Sequence, residues 1–366
     1  MTDTEKTDGV GKTNGSGTGT AIVDPVEEAL NALRSSAMAG EIEAKTELGQ
    51  RLLGEPRHPN DLIEGAAVTV SAASDGSGED AYRAAVLAAG AISMPRNWET
   101  ALVYCRRAAE LGYRPAQTEL AELSGDQELA ARALSGEDSA SDIWAQLCDS
   151  VNLMAHMTPP TMKSISLNPR IATVENFLAP EICAALVEMA RARLEPLGIE
   201  GDESVGVDVA GVMRLSATDL SLQLILLLDR IMELVGLPHR GLEQPAIIRF
   251  TGGKDYPAHV DYLDPADPER AEMIMNTGQR AVTFLIFLND DFAGGETDFP
   301  SIPLQFKAKK GDALFWWNTN NDGVPMPATL NGNCAVTEGE KWVFSQSICV
   351  PMQRVDQPPP TTNTLS

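Results

Sequence analysis

The C-terminal part of the sequence consists of short apolar runs separated by turns, and this pattern restricts the fold more than any other feature. Glycine, proline and aspartate fill the gaps between the runs, and these residues favour tight turns. Many short strands broken in this way predict an antiparallel sandwich or jelly roll. Two predicted helices, one opened by Pro180 and one at about 218–235, would flank it on one side. The apolar runs lie at 247–250, 256–263, 281–288, 297–299, 313–317 and 342–350.

The sequence before this region has the spacing of helices. Residues 25–135 are rich in Ala, Leu and Glu, with apolar residues at helical intervals. Ala44, Ala81 and Ala116 lie 37 and then 35 residues apart, a period typical of stacked helical hairpins. The stretch 98–113 resembles the second helix of a Sel-like, tetratricopeptide-related repeat. Small alanines allow close helix packing, and a surface for a protein partner on these repeats is a second expectation.

These patterns divide the chain into two folded units. We expect an α+β multidomain protein, with an N-terminal α-helical repeat region followed by a jelly roll with flanking helices. The predicted boundaries are a disordered tail at 1–24, the helical repeat region at 25–135, a connector at 136–165, the β domain at 166–354 and a second disordered tail at 355–366.

Charge and cysteine usage exclude some classes of function. The net charge is −24, from 28 basic and 52 acidic residues, which disfavours binding to nucleic acid or to an anionic membrane. A basic peptide or a neutral small molecule is an easier partner. The five cysteines form no C-x-x-C pair and favour a reducing compartment. Residues 1–20 lack the apolar core of a secretory signal, and no run reaches the roughly 18 apolar residues of a membrane span, so we expect a cytoplasmic protein.

The strongest chemical signal is the pair His259 and Asp261. The two residues lie two apart in a predicted strand, which places both side chains on the same face. An imidazole and a carboxylate at this spacing supply two of the three ligands of the facial triad that holds Fe(II) with open positions. The pair alone is a weak signal, because chance and structural histidines often produce it.

The sequence around this pair closely resembles the catalytic domain of prolyl 4-hydroxylases over about residues 168–350. The motifs that carry the resemblance follow His259 in order: 280–289, 294–300, 310–316 and 339–342. The resemblance implies a double-stranded β-helix and an oxygenase that uses Fe(II), 2-oxoglutarate and O₂, with ascorbate commonly supporting turnover. By this resemblance, His259 and Asp261 are the first two iron ligands and belong to the catalytic centre. It also matches Lys341 to the base that pairs with the far carboxylate of 2-oxoglutarate, and Thr283 to a second position that contacts this co-substrate.

The sequence departs from the family at two positions. Asn331 stands where the family has its second iron-binding histidine, and Phe250 stands where a tyrosine often helps to hold 2-oxoglutarate. An amide oxygen is a poorer ligand for Fe(II) than an imidazole. Three interpretations remain open: Asn331 or water completes the iron site, Asn333 or Cys334 does so instead, or the domain no longer turns over.

We therefore expect an Fe(II)- and 2-oxoglutarate-dependent hydroxylase that acts on a peptidyl prolyl residue or on a C–H bond of a small molecule, releasing succinate and CO₂. The alternative is a catalytically degenerate oxygenase fold that serves as a binding or regulatory protein. In both cases the partner is a peptide, a protein or a small molecule.

Overall fold

The computed structural model describes residues 24–135, 142–196, 210–237 and 241–351. The tails predicted at 1–24 and 355–366 lie outside these ranges, apart from Asp24, whose carboxylate accepts a hydrogen bond from the first turn of the first helix.

The N-terminal part of the chain is a series of helices that pack against one another in chain order. Ala44, Ala81 and Ala116 are buried near the starts of the second, fourth and sixth helices, so the alanine period predicted from the sequence marks equivalent contacts between helices. The helices are α1 (Pro25–Met38), α2 (Ile42–Gly54), α3 (Pro59–Ser74), α4 (Gly78–Gly90), α5 (Trp98–Glu110), α6 (Arg114–Ser124) and α7 (Gln127–Ser135).

The segment predicted as a connector contains two helices, α8 (Asp142–Ser150) and α9 (Leu153–Met157). Both pack against other helices: α8 contacts α5 and α6, while α9 contacts α11 (Leu222–Val235). Helix α11 joins the two parts of the molecule. Leu222, Ile225 and Leu226 belong to the apolar core of the helical part, whereas Leu224 and Leu227 belong to the core beneath the β-sheet.

The C-terminal part contains two antiparallel sheets that enclose a shared apolar core. The larger sheet has the order β1-β2-β11-β7-β14-β5-β4-β3, and the smaller has the order β10-β9-β12-β6. The larger sheet contains β1 (Lys163–Leu167), β2 (Arg170–Val174), β3 (Glu195–Pro196), β4 (Ala210–Arg214), β5 (Ala246–Phe250), β7 (Gln279–Phe287), β11 (Ala313–Trp317) and β14 (Lys341–Val350). The smaller contains β6 (Tyr256–His259), β9 (Thr297–Phe299), β10 (Leu304–Phe306) and β12 (Asn331–Asn333).

A separate two-stranded antiparallel sheet consists of β8 (Ala293–Gly294) and β13 (Val336–Glu338). Helix α10 (Pro180–Arg191) begins at the predicted proline, α12 (Pro268–Thr277) precedes β7, and Pro327–Thr329 forms a short 3₁₀ turn before β12. The observed fold confirms the expected helical region followed by a jelly roll of the double-stranded β-helix type with flanking helices.

The central strand β7 shows why the larger sheet is buried on both faces. Its Val282, Phe284 and Ile286 pack in the core formed with α10 and α11. Leu285 and Phe287 alternate with them and face the smaller sheet. The run is therefore apolar at almost every position, as expected for a strand with two buried faces. Thr283 shares the inward face, which brings its hydroxyl into the space between the sheets.

Candidate active site

The candidate site lies where β6 and β12 pair in the smaller sheet. Asn331 of β12 is directly opposite His259 of β6, and Asn333 is opposite Tyr256. Gly332, between the two asparagines, allows this close pairing: a Cβ there would lie 2.9 Å from the carbonyl oxygen of Tyr256. One strand thus holds two amide side chains, at positions two residues apart, along the inner edge of the site.

The structure brings His259 and Asp261 together. His259 Nε2 lies 3.3 Å from Asp261 Oδ1, and His259 Nδ1 lies 3.0 Å from the carbonyl oxygen of Pro257. The Pro257 contact favours the tautomer with the proton on Nδ1, which leaves the Nε2 lone pair facing the carboxylate. Two ligand atoms about 2.1 Å from one metal ion and at right angles to each other are about 3 Å apart. The pair is therefore spaced to bind one metal ion.

The prediction that both residues lie in one strand was wrong in detail, because β6 ends at His259. Asp261 is held by other contacts. Thr283 Oγ1 donates to Asp261 Oδ2 at 2.9 Å, and Asn318 Nδ2 donates to Thr283 Oγ1 at 2.9 Å. The guanidinium of Arg280 donates to the Asp261 carbonyl oxygen at 2.9 Å. Thr283 therefore positions the carboxylate of Asp261, and nothing in the structure tests its predicted contact with 2-oxoglutarate.

Arg280 is fixed in turn by a bidentate ion pair with Glu243, at 2.9 and 2.8 Å. Burial lowers the pKa of the Arg280 guanidinium, but the contact with Glu243 outweighs it and the net direction is upward. A permanent positive charge therefore lies beside Asp261.

The electrostatics of the pair favour an ionised Asp261. Burial lowers the pKa of His259, but the contact with Asp261 outweighs this effect and the pKa lies above its ordinary value. Burial likewise raises the pKa of Asp261, and the contacts with His259 and Thr283 reverse the direction, so this pKa lies below its ordinary value. A metal ion binds the unprotonated imidazole, so metal binding here competes with a proton on His259.

Asn331 lies next to this pair but presents its N–H groups to it. Asn331 is 5% exposed, and Nδ2 donates to Asp261 Oδ2 at 3.1 Å, to the Thr329 carbonyl oxygen at 3.2 Å and, at 3.4 Å, to the His259 carbonyl oxygen. With Nδ2 surrounded by acceptors, the amide oxygen Oδ1 is the only atom of Asn331 with a lone pair for a metal ion.

Among the described residues, no further histidine, cysteine or carboxylate joins His259 and Asp261 as a third metal ligand. Within the described ranges, no three His, Cys, Asp or Glu side chains cluster closely enough to hold a metal ion. His58 precedes α3 and His156 lies in α9, both in the helical part, and His239 is outside the described residues. Asn333, considered above as a replacement ligand, is bonded instead to Lys341.

Lys341 begins β14 and is completely buried. Its Nζ donates to the Gly295 carbonyl oxygen at 2.8 Å, to Thr297 Oγ1 at 3.2 Å and to Asn333 Oδ1. All three partners are neutral, and burial lowers the pKa of the lysine from 10.5 to about 7. A buried ammonium group without a counter-ion is a favourable place for the carboxylate of a ligand.

Aromatic rings connect the two ends of the site. Phe250 is opposite Lys341 in the sheet, and its ring centroid is 5.5 Å from Lys341 Nζ. The ring of Tyr256 contacts both Phe250, at 5.4 Å between centroids, and His259, at 5.5 Å. Phe250 supplies no hydroxyl to a ligand, but its ring stabilises the buried ammonium group through a cation–π contact.

Two buried polar atoms on and after β11 have no hydrogen-bond partner: Trp316 Nε1 and Asn318 Oδ1. Trp316 is opposite Thr283 in the sheet, and Asn318 donates to that threonine. Because buried polar atoms are nearly always bonded, these two atoms fit an interior that receives a polar ligand. Sequence reasoning missed Asn318 and the Arg280–Glu243 pair, since neither stands near His259 in the chain.

Two surface pockets lie elsewhere, at the junction of the helical part with α11. One, of about 460 Å³, is lined by residues that include Tyr82, Glu119 and Gln223, and the other, of about 360 Å³, includes His156 and Arg230. Neither is lined by His259, Asp261 or Lys341. No helix in the described part of the chain is long and apolar enough to cross a bilayer.

Comparison with known proteins assigns the chain to a class. Residues 245–347 match the model of the 2OG-Fe(II) oxygenase superfamily. Probable prolyl 4-hydroxylase 4 of Arabidopsis thaliana is 30% identical over 220 residues, which cover 53% of this chain and 72% of that protein. The chain belongs to the prolyl 4-hydroxylase family of 2-oxoglutarate-dependent dioxygenases, and the family's cofactors are Fe(II), 2-oxoglutarate and O₂.

Solved structures with similarity to the chain include the viral collagen prolyl hydroxylase of Paramecium bursaria Chlorella virus-1 in complex with 2-oxoglutarate. It is 22% identical, with a TM-score of 0.37, and the match covers 49% of this chain and 96% of that one. A Sel1 repeat protein from Oxalobacter formigenes is 21% identical, with a TM-score of 0.26, covering 36% of this chain and 94% of that one.

The residues present fit the family's cofactors at two places. His259 Nε2 and Asp261 Oδ1 are spaced to bind Fe(II), and Lys341 is a buried cation without a counter-ion. The third iron ligand is where this chain differs, because Asn331 offers only an amide oxygen.

Proposed function

We propose that this protein hydroxylates a prolyl residue in a peptide, with Fe(II) and 2-oxoglutarate as cofactors. The observation that carries the proposal is the convergence of His259 Nε2 and Asp261 Oδ1 at 3.3 Å, beside the strand β12 whose Asn333 contacts the buried Nζ of Lys341. A barrel needs none of these three groups for its packing. When bound, Fe(II) would supply the oxidising chemistry with O₂ and 2-oxoglutarate, which leaves as succinate and CO₂.

Each residue has a definite role in this proposal. His259 binds the metal ion through Nε2 while the Pro257 carbonyl holds its Nδ1–H in place. Asp261 binds through Oδ1, because Oδ2 is occupied by the hydroxyl of Thr283 and the amide of Asn331. Lys341 pairs with the carboxylate of 2-oxoglutarate that is distant from the metal. The rings of Phe250 and Tyr256 cover the side of the site between Lys341 and His259.

Asn331 sets the strength of metal binding. Its Nδ2–H bond draws electron density from Asp261 Oδ2, and its Oδ1 is neutral and a weaker donor than an imidazole. The metal ion would therefore have two strong protein ligands, with Asn331 Oδ1 or water at the third position. We expect weaker Fe(II) affinity than a complete triad would give, and no loss of the geometry needed to bind substrate.

The proposed substrate is a peptide with positive charge. The chain carries a net charge of −24, so a basic peptide is attracted to it and an acidic one is repelled. The names of the relatives specify prolyl hydroxylation for those proteins. The helical part is a candidate surface for holding such a peptide or a protein partner. A free amino acid or another small molecule is the competing substrate class.

A second candidate function is a binding or regulatory protein without turnover. Asn331 favours it, because this side chain directs N–H groups rather than a lone pair at the carboxylate of Asp261. In that case Lys341 would still bind 2-oxoglutarate, or a peptide would bind between the two sheets.

One experiment separates the two functions. Purified protein is incubated with Fe(II), ascorbate and 2-oxoglutarate and with basic proline-containing peptides or free amino acids, and succinate and hydroxylated product are both measured. The proposal predicts both products with a peptide, and their loss in His259→Ala. His58→Ala is the matched control, since it removes a histidine from the exposed start of α3 and should retain activity. Metal binding without either product would support the regulatory function, and product from amino acids alone would replace the peptide substrate.

A further inference from the structure

Lys341 has no free donor in this structure. A charged lysine has three N–H groups, and its neighbours supply three acceptors: the Gly295 carbonyl oxygen, Thr297 Oγ1 and Asn333 Oδ1. Among the ion pairs of the described residues, none includes Lys341. A carboxylate that binds this ammonium must therefore replace one of its present acceptors.

The three acceptors differ in their freedom to move. The Gly295 oxygen belongs to the main chain, and Thr297 lies in β9 with only 1% of its surface exposed. Asn333 is half-buried at the end of β12, and its oxygen is carried on a side chain with two rotatable bonds. Asn333 is thus the acceptor that can leave with the smallest rearrangement.

Asn333 Oδ1 also makes the contacts that a carboxylate oxygen of a ligand would make at the same place. It accepts from Lys341 Nζ and, at 3.4 Å, from the hydroxyl of Thr297. An ammonium and a hydroxyl are the donors that would satisfy one oxygen of an incoming carboxylate. The amide oxygen therefore occupies the place at Lys341 where the negative group of a ligand would be most stable.

The position of Asn333 places it in the path of such a ligand. Asn331, two residues earlier on the same strand, is opposite His259, whereas Asn333 is opposite Tyr256 and bonded to Lys341. Two residues of a strand span about 7 Å. A molecule that reaches from the metal-binding pair to Lys341 follows β12 and meets the side chain of Asn333.

We propose that Asn333 is an internal competitor for the distal carboxylate of 2-oxoglutarate. Its amide oxygen holds Lys341 until the distal carboxylate of a dianionic co-substrate displaces it, so Asn333 lowers the affinity for 2-oxoglutarate. This inference rests on the proposed function, because it takes Lys341 as the group that binds the co-substrate.

The test measures binding rather than turnover. 2-Oxoglutarate is titrated calorimetrically into the full-length protein loaded with Mn(II) in place of Fe(II). Asn333→Ala frees one donor of Lys341, and exchanging one ordinary hydrogen bond changes affinity by about fivefold to tenfold. We expect Asn333→Ala to bind 2-oxoglutarate tighter by that factor. Asn152→Ala is the matched control, because it removes an asparagine that caps α9 in the helical part, and its affinity should equal that of the wild type.

Asn333→Asp is the second variant and keeps the size of the side chain. Its carboxylate would form a permanent ion pair with Lys341, so it should fold and bind 2-oxoglutarate at least about tenfold more weakly than the wild type. Thermal melting of each variant without ligand checks folding independently.

The outcomes separate this inference from the proposed function. Unchanged or weaker binding by Asn333→Ala, with a wild type that binds and turns over, overturns the competitor role and leaves the hydroxylase proposal standing. Tight binding by Asn333→Asp overturns it too. Absence of binding in the wild type and in both variants overturns the inference and the use of 2-oxoglutarate together.

Discussion

Replacing Lys341 with methionine should change how the stability of the protein depends on pH. The Lys341 side chain is completely buried, and burial lowers its pKa from 10.5 to about 7. One pKa unit is worth about 1.4 kcal/mol, so keeping the lysine charged costs the folded state about 5 kcal/mol. Methionine has a similar length and no charge, and removes this cost at every pH.

The sign follows from proton binding in the two states. Between about pH 7 and pH 10.5 the unfolded lysine is protonated while the folded one is increasingly neutral, so the unfolded state binds more protons and stability rises with pH. The cost is fully present below pH 7 and disappears as the pH approaches 10.5. From pH 7 to pH 9 the wild type should therefore gain about 2 kcal/mol relative to Lys341→Met.

The assay is urea unfolding of the ligand-free protein at pH 7, 8 and 9. The difference between the free energies of unfolding of wild type and variant cancels the contributions of all other groups. Lys163→Met removes a charge from an exposed lysine in β1 and serves as the control for the loss of a surface charge. A difference between wild type and Lys341→Met that stays constant within about 0.5 kcal/mol from pH 7 to pH 9 would show that burial does not lower the pKa of Lys341 in the folded state.

Three further predictions follow from single contacts. Thr283→Val removes a donor to Asp261 and the acceptor of Asn318. The free energy of unfolding in urea should fall by about 1–3 kcal/mol, and titration should show a lower affinity for Fe(II). Unchanged values would contradict the role of Thr283 in positioning Asp261. Leu226 lies in the core that α11 shares with the helical part, and Leu226→Ala should lower the free energy of unfolding by about 2–5 kcal/mol. A smaller loss would show that α11 is not closely packed against the helical part. Asn331→His should strengthen Fe(II) binding and raise succinate formation by about tenfold or more, and no change in either would show that the third ligand does not limit the site.

The sequence predicts the general architecture because two periodicities are strong. Apolar spacing at helical intervals marks α1 to α7, and the nearly continuous apolar run of β7 identifies a strand with two buried faces. Strand order is not encoded locally, since β14 pairs with both β5 and β7, which lie far from it in the chain. The shared role of α11 was equally hidden, because its sequence shows only that it is apolar on most sides.

The site residues that belong to sequence motifs could be predicted, whereas contacts between side chains of different strands could not. His259, Asp261 and Lys341 were found from motifs in the sequence. The position of Asp261 depends on Arg280 and Thr283, which approach it from another strand. Asn333 was considered only as a metal ligand, because its partner Lys341 lies in the other sheet, at the start of β14, and a contact between the two sheets leaves no pattern in the sequence.

Binding of iron and co-substrate at this site is tested most directly by the visible charge-transfer absorption of Fe(II) chelated by 2-oxoglutarate, measured on the anaerobic full-length protein. We expect the band to appear with the wild type, to saturate at one iron per chain and to be lost in His259→Ala and in Lys341→Met. A wild type that gives no band at saturating Fe(II) and 2-oxoglutarate, or a band that survives in His259→Ala, would contradict the claim that this pair and Lys341 hold the iron and its co-substrate.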